Sequence, residues 1–156
     1  MAKFPSKMSG GCMCGAVRYE ITDLPSRVLH CHCQSCRKHT GAPAATLAVF
    51  TLDQVKFSGK KRKIYNSAPN VGRSFCDSCG SSLTWETVLD DEGALCAIHI
   101  SNFDQPDVLI PTGHSFYPDR ISWFDIDDNL PRYEGFVRGN EPLHLGPAKK
   151  HPHGDI

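Results

Sequence analysis

Gly11-Cys12-Met13-Cys14-Gly15-Ala16-Val17-Arg18-Tyr19-Glu20-Ile21 opens on two cysteines one residue apart and continues as an alternating run. Val17, Tyr19 and Ile21 recur at period two, which predicts a half-buried strand. In an extended segment Cys-x-Cys sets both sulfurs on one side, and two sulfurs are half of a tetrahedral zinc site. The matching half is Cys76-Asp77-Ser78-Cys79, where a turn brings both sulfurs to one point. Cys12, Cys14, Cys76 and Cys79 together make a closed set of four thiolates. With no position left for a substrate, zinc bound there is structural.

A third cluster, Cys31-His32-Cys33-Gln34-Ser35-Cys36, places three cysteines in six residues. Three protein ligands with one vacant position is the pattern of catalytic zinc, so Cys31, Cys33 and Cys36 are the candidate catalytic ligands. A thiol bound at the vacant position would lose its proton, because coordination lowers a thiol pKa well below about 8.5. Spacing alone leaves the pairing of the clusters open. It also leaves open a second site capped by a histidine, for which His39, His99 and His114 are candidates. His30 and His32 flank Cys31 and point away from it in an extended chain. Cys96, in Ala94-Leu95-Cys96-Ala97-Ile98, reads as a buried core thiol.

Around these clusters the chain is rich in turns and short strands. Ala44 to Leu52 reads as a buried strand. Val55–Phe57 with Lys63–Asn66, and Ser82–Val88 with Ala94–Ser101, read as hairpins. Thr112 to Tyr117 reads as another strand, and Gln34 to His39 as one or two helical turns. The expected architecture is mainly β, of antiparallel sheets with few short helices. One zinc-binding domain is expected over 1–139, followed by a Pro/His-rich tail over 140–156 that is loosely attached. The basic run Lys60-Lys61-Arg62-Lys63 is expected as a solvated hairpin turn.

Seventeen Lys and Arg balance seventeen Asp and Glu, so no general attraction to nucleic acid or to an anionic membrane is expected. No signal-peptide run and no stretch of about 20 apolar residues is present. A cytoplasmic location is the expectation, and there thiols stay reduced, so eight cysteines point to metal or catalysis before disulfides.

The chain resembles the glutathione-dependent formaldehyde-activating enzyme family, which also contains centromere protein V. The resemblance is carried by Gly11 to Tyr19, by Cys31-His32-Cys33-Gln34-Ser35-Cys36-Arg37-Lys38 with Gly41, and by Phe75-Cys76-Asp77-Ser78-Cys79-Gly80-Ser81-Ser82-Leu83. Trp123 and Asp128-Asn129-Leu130-Pro131 are similar to the family's end. The resemblance implies twisted antiparallel sheets like those of methionine sulfoxide reductase B. It implies a structural zinc on Cys12, Cys14, Cys76 and Cys79 and a catalytic zinc on Cys31, Cys33 and Cys36. The implied activity is a carbon–sulfur lyase that forms or splits S-(hydroxymethyl)glutathione, with a thiol and an aldehyde as its small-molecule partners. Arg37 and Lys38 are then the nearest candidates for a carboxylate of glutathione, with solvated charge as the plain alternative. A non-catalytic zinc module that binds a partner is the competing reading. A methionine sulfoxide reductase is a third, and it lacks the free redox thiols it would need.

Overall fold

The computed structural model describes residues 7–138, and the expected tail over 140–156 lies outside the described residues. The elements in chain order are β1 (Met8–Gly11), β2 (Val17–Ile21), β3 (Arg27–Cys31), α1 (Gln34–Thr40), β4 (Ala45–Thr51), β5 (Val55–Gly59), β6 (Lys63–Ala68), β7 (Val71–Phe75), β8 (Ser82–Leu89), β9 (Gly93–His99) and β10 (Gly113–Ser115), with four short 3₁₀ turns. Among the described residues strand outweighs helix by 44% to 14%, so the mainly β expectation holds. Among the described residues no helix is long and apolar enough to cross a membrane.

Two compact units are formed. The first takes in the described residues up to Arg27 together with Leu47–Ile110, and the second takes in Val28–Thr46 and the described residues from Pro111 onward. In the first unit, β1 and β5 flank β2, both antiparallel to it. The alternation read from the sequence places Val17, Tyr19 and Ile21 inward, and all three are buried. Tyr19 packs edge-on against Phe103 with ring centroids 5.2 Å apart. A second run of antiparallel pairs joins β4 to β9, β9 to β8, β8 to β7 and β7 to β6. The β8–β9 hairpin forms as read, closing with Leu89 opposite Gly93, whose φ of 73° is open to glycine at little cost.

The other expected hairpin does not form. β5 pairs with β2, and β6 pairs with β7. The reason lies at Gly59, which takes φ of 77° and packs so closely that a Cβ there would stand 2.3 Å from the Ala16 carbonyl oxygen. The next residue, Lys60, donates its N–H to that same oxygen at 2.7 Å, so the end of β5 is fastened to the start of β2. The basic run after it is largely exposed, as expected, and two of its members are also closely paired. Lys60 binds Asp77 at 2.6 Å, and Arg62 binds Glu86 at 2.7 Å while lying 3.7 Å above the Phe57 ring.

The second unit is built on β3 and β10, which run parallel, with His114 opposite His30 and Ser115 opposite Cys31. This departs from the antiparallel expectation. Parallel strands need a long connection, and the chain between residues 32 and 112 supplies one. Leu29, Tyr133 and Val137 form a small buried cluster here. Helix α1 starts at Cys33 in extended geometry and stops at Gly41, a left-handed residue whose N–H returns to the Arg37 carbonyl.

Candidate metal centres

All eight cysteines are free thiols. Seven of them fall into two groups, Cys12, Cys14, Cys76 and Cys79 in the first unit and Cys31, Cys33 and Cys36 in the second. Within each group the sulfurs all lie within 4.8 Å of one another.

Matching turns on two different segments build the four-sulfur group. Cys12-Met13-Cys14 is a turn, not the extended segment expected, and it closes as the Gly15 N–H donates to the Cys12 carbonyl at 3.0 Å. Gly80 does the same for Cys76 at 2.8 Å. Both glycines sit at positive φ, 78° and 77°, a backbone that a side chain would strain. Sulfur separations of 3.5 Å for Cys12–Cys14 and 3.9 Å for Cys14–Cys76 straddle the edge of about 3.8 Å that a tetrahedron with 2.3 Å zinc–sulfur bonds requires. They are far beyond the roughly 2.05 Å of a disulfide. The donor set therefore fits zinc.

Backbone and hydroxyl donors face these sulfurs. The Val17 N–H reaches the Cys12 sulfur at 3.2 Å. Ser81 accepts the Met13 N–H at 3.0 Å, so its own proton is free for the Cys79 sulfur at 3.2 Å. The hydroxyl and the N–H of Ser81 bring Cys79 down to about 5, favouring the thiolate that a metal binds. Ser81 was not singled out from the sequence, although a hydroxyl two residues past the second cysteine of a Cys-x-x-Cys turn is a readable signal. The group is anchored on an apolar base of Val17 and Leu83, with Ala16 and Phe57 packed against it.

In the second unit Cys31 ends β3, Cys33 caps α1 and Cys36 stands in its first turn. Cys36 donates its N–H to the Cys33 sulfur at 3.3 Å. Cys31 and Cys36 are buried and Cys33 is half-buried. Among the described residues no further Cys, His, Asp or Glu donor joins this group of three. His32 turns its ring elsewhere, onto His114 at 2.8 Å. Crowding has an electrostatic consequence: hydrogen bonds from Cys33 and Cys36, and then burial, push the Cys31 thiol well above its ordinary value. Three thiolates held this close need a cation among them, so this set also fits a metal ion.

Arg37 does not stand free for a substrate carboxylate. Its Nε donates to the His32 carbonyl at 3.1 Å and one Nη donates to the Asp119 carbonyl at 3.3 Å. Lys38 is exposed on the same short helix. Cys96 is fully buried, and burial pushes its thiol up, which suits the expected core role.

Fold and sulfur geometry together define a mainly β protein with two separate cysteine groups, each able to hold a metal ion. A family model described as glutathione-dependent formaldehyde-activating enzyme matches residues 7–119, which takes in all seven clustered cysteines. The chain belongs to that family. Trp123 and Asp128 to Pro131, quoted above for the family's end, lie beyond the matched span. No curated protein matches the chain. Among solved structures, a Rhodobacter sphaeroides protein crystallised as a structural genomics target is similar in fold, with a TM-score of 0.50 and 20% identity over 62% of this chain and 88% of that one.

Proposed function

We propose that the chain is a zinc-dependent carbon–sulfur lyase that joins a thiol such as glutathione to formaldehyde, or splits the adduct. The observation that carries this reading is the group of three sulfurs, Cys31, Cys33 and Cys36, which no further described donor completes. The four-sulfur group is the structural partner in the same reading, since four thiolates saturate a tetrahedral ion.

Cys31, Cys33 and Cys36 would hold the zinc, which when bound would supply the Lewis acidity that lowers the pKa of a thiol. The residues of the chain hold the three sulfurs together. Cys33 is fixed as the cap of α1, and the Cys36 N–H stabilises negative charge on the Cys33 sulfur. Arg37 braces the loop by binding two carbonyls, so its role in this reading is to hold the cysteines and not to bind substrate. Exposed Lys38 is then the nearby cation left to meet a carboxylate of glutathione. In the addition, the thiol S–H bond breaks, the sulfur forms a bond to the aldehyde carbon, the carbonyl π-bond opens, and the oxygen takes up a proton, so that the proton the thiol gives up is replaced on oxygen. The sum is one thiol plus one formaldehyde giving one hydroxymethyl thioether.

The test is formation of S-(hydroxymethyl)glutathione from ¹³C-formaldehyde and glutathione, followed by exchange NMR. The holoprotein should raise the exchange rate above the uncatalysed rate, and Cys36→Ser should remove the increase. A protein that holds its full metal complement and leaves the rate unchanged contradicts the lyase and favours a binding module.

A further inference from the structure

Behind the three-cysteine loop lies a line of hydrogen bonds that the reaction does not use. His32 and His114 are both fully buried, and His32 Nε2 lies 2.8 Å from His114 Nδ1. His114 Nε2 faces both oxygens of Asp128, at 3.1 and 3.0 Å. Asp128 is held in turn by Arg132 at 2.7 Å and by the Leu130 N–H at 3.0 Å.

The direction of these bonds follows from chemistry. Burial raises the Asp128 pKa, but the Leu130 N–H and the bonds from His114 and Arg132 more than offset it, so the group is a carboxylate. A carboxylate only accepts, so His114 donates from Nε2. Burial draws His114 below its ordinary value and so favours the neutral ring, in which Nδ1 accepts and His32 donates from Nε2. Each tautomer is fixed by the next member of the line, starting from Asp128.

His32 is held at almost every polar atom. Its N–H goes to the Ser115 carbonyl at 3.1 Å and its carbonyl receives Arg37 Nε at 3.1 Å. Its ring meets Tyr117 edge-on, with centroids 5.4 Å apart. This residue stands between Cys31 and Cys33. Side chains alternate along extended backbone, so the sense in which His32 points sets the sense in which both neighbouring sulfurs point.

We propose that His114 and Asp128 are positioning residues for the Cys31, Cys33 and Cys36 metal set: through the His32 ring they fix the rotation of the segment that carries two of its three sulfurs. The proposal rests on the reading that this set holds zinc. Removing a partner that orients a metal ligand typically weakens metal binding about 10–100-fold, and here the effect acts one residue away from the ligands. His30, His114 and Asp128 also bring one donor each within 4.8 Å of one another, as a third metal would need. However, the Arg132 guanidinium already sits on Asp128 and would face an incoming cation, so the hydrogen-bonded line is the better account.

The experiment is competition between the full-length holoprotein and a chelating dye, reading zinc affinity site by site in wild type, Asp128→Asn and His114→Gln. Asp128→Asn should weaken one of two bound zinc ions about 10–100-fold and leave the other, on the four-sulfur set, unchanged as an internal control. His114→Gln should act on the same ion. Urea unfolding of each variant separates this from a loss of fold: weakening of both ions in step with a lowered midpoint overturns the proposal. Affinity equal to wild type in both variants also overturns it, as does a third zinc ion that Asp128→Asn releases. Wild-type protein with a single zinc, unaltered by Cys36→Ser, overturns this proposal and the lyase reading together, whereas two zinc ions that Asp128→Asn leaves untouched overturn this one alone.

Discussion

Replacing Cys76 by serine removes one of four sulfurs from a fully buried position whose neighbours are Cys12, Val17 and Leu83. Two costs follow. A ligand that binds only the folded chain stabilises it by about 2.7 kcal/mol at 100 times its dissociation constant and about 4.1 kcal/mol at 1,000 times, so losing the ion costs about 3–4 kcal/mol. The serine hydroxyl left without its former partner costs about 1–3 kcal/mol more. The sum, about 4–7 kcal/mol, is comparable with the whole 5–15 kcal/mol of a typical domain. Urea unfolding of wild type and Cys76→Ser, each with and without a strong chelator, isolates the metal part. The three-cysteine set responds to chelator in both proteins and cancels in the comparison. Wild type should lose about 3–4 kcal/mol more than Cys76→Ser on chelation. Equal losses would refute Cys76 as a ligand and, with it, the geometric argument for the four-sulfur site.

Three further outcomes follow from the first unit. Leu83→Ala empties a fully buried position under the four-sulfur group and should cost about 2–5 kcal/mol in urea unfolding; a loss below 1 kcal/mol would show the site is not packed as described. The Tyr19 hydroxyl is buried with no hydrogen-bond partner among the described residues, so Tyr19→Phe should leave stability unchanged or raise it by about 1 kcal/mol, and a clear loss would reveal a partner. Arg18, and then Ser9, hold the half-exposed Asp104 carboxyl below its ordinary value. The unfolded chain therefore binds the proton first as pH falls, and the pair's contribution is full above about pH 3.9 and lost as pH drops through the folded value. Asp104→Asn should cost about 0.2–1 kcal/mol at pH 7 and progressively less in acid or high salt; a cost independent of both would mean that charge is not its source.

Much of this was open to reading in the chain itself. Val17, Tyr19 and Ile21 announce their strand because one face is buried and the other is not. The hairpin at Gly93 is legible because its turn is local. Strands that depend on distant partners were harder. β1 is Met8-Ser9-Gly10-Gly11, with almost no side chains to show a period, and it exists because β2 lies beside it. The misread hairpin of β5 and β6 has the same cause: a close approach of Gly59 to Ala16, over forty residues back, overrides proximity in sequence. At the sites, cysteine spacing was enough to group the sulfurs, because a metal demands a small set of geometries. The line from Asp128 to His32 left no such mark, since hydrogen bonds between residues 82 and 14 positions apart have no spacing to recognise.

The most direct measurement is the electronic spectrum of the cobalt-substituted protein as glutathione is added. Wild type should show a change that saturates at one glutathione per chain, and Cys36→Ser, which keeps only the four-sulfur ion, should show none. A wild-type spectrum that glutathione leaves untouched would contradict an open position at Cys31, Cys33 and Cys36.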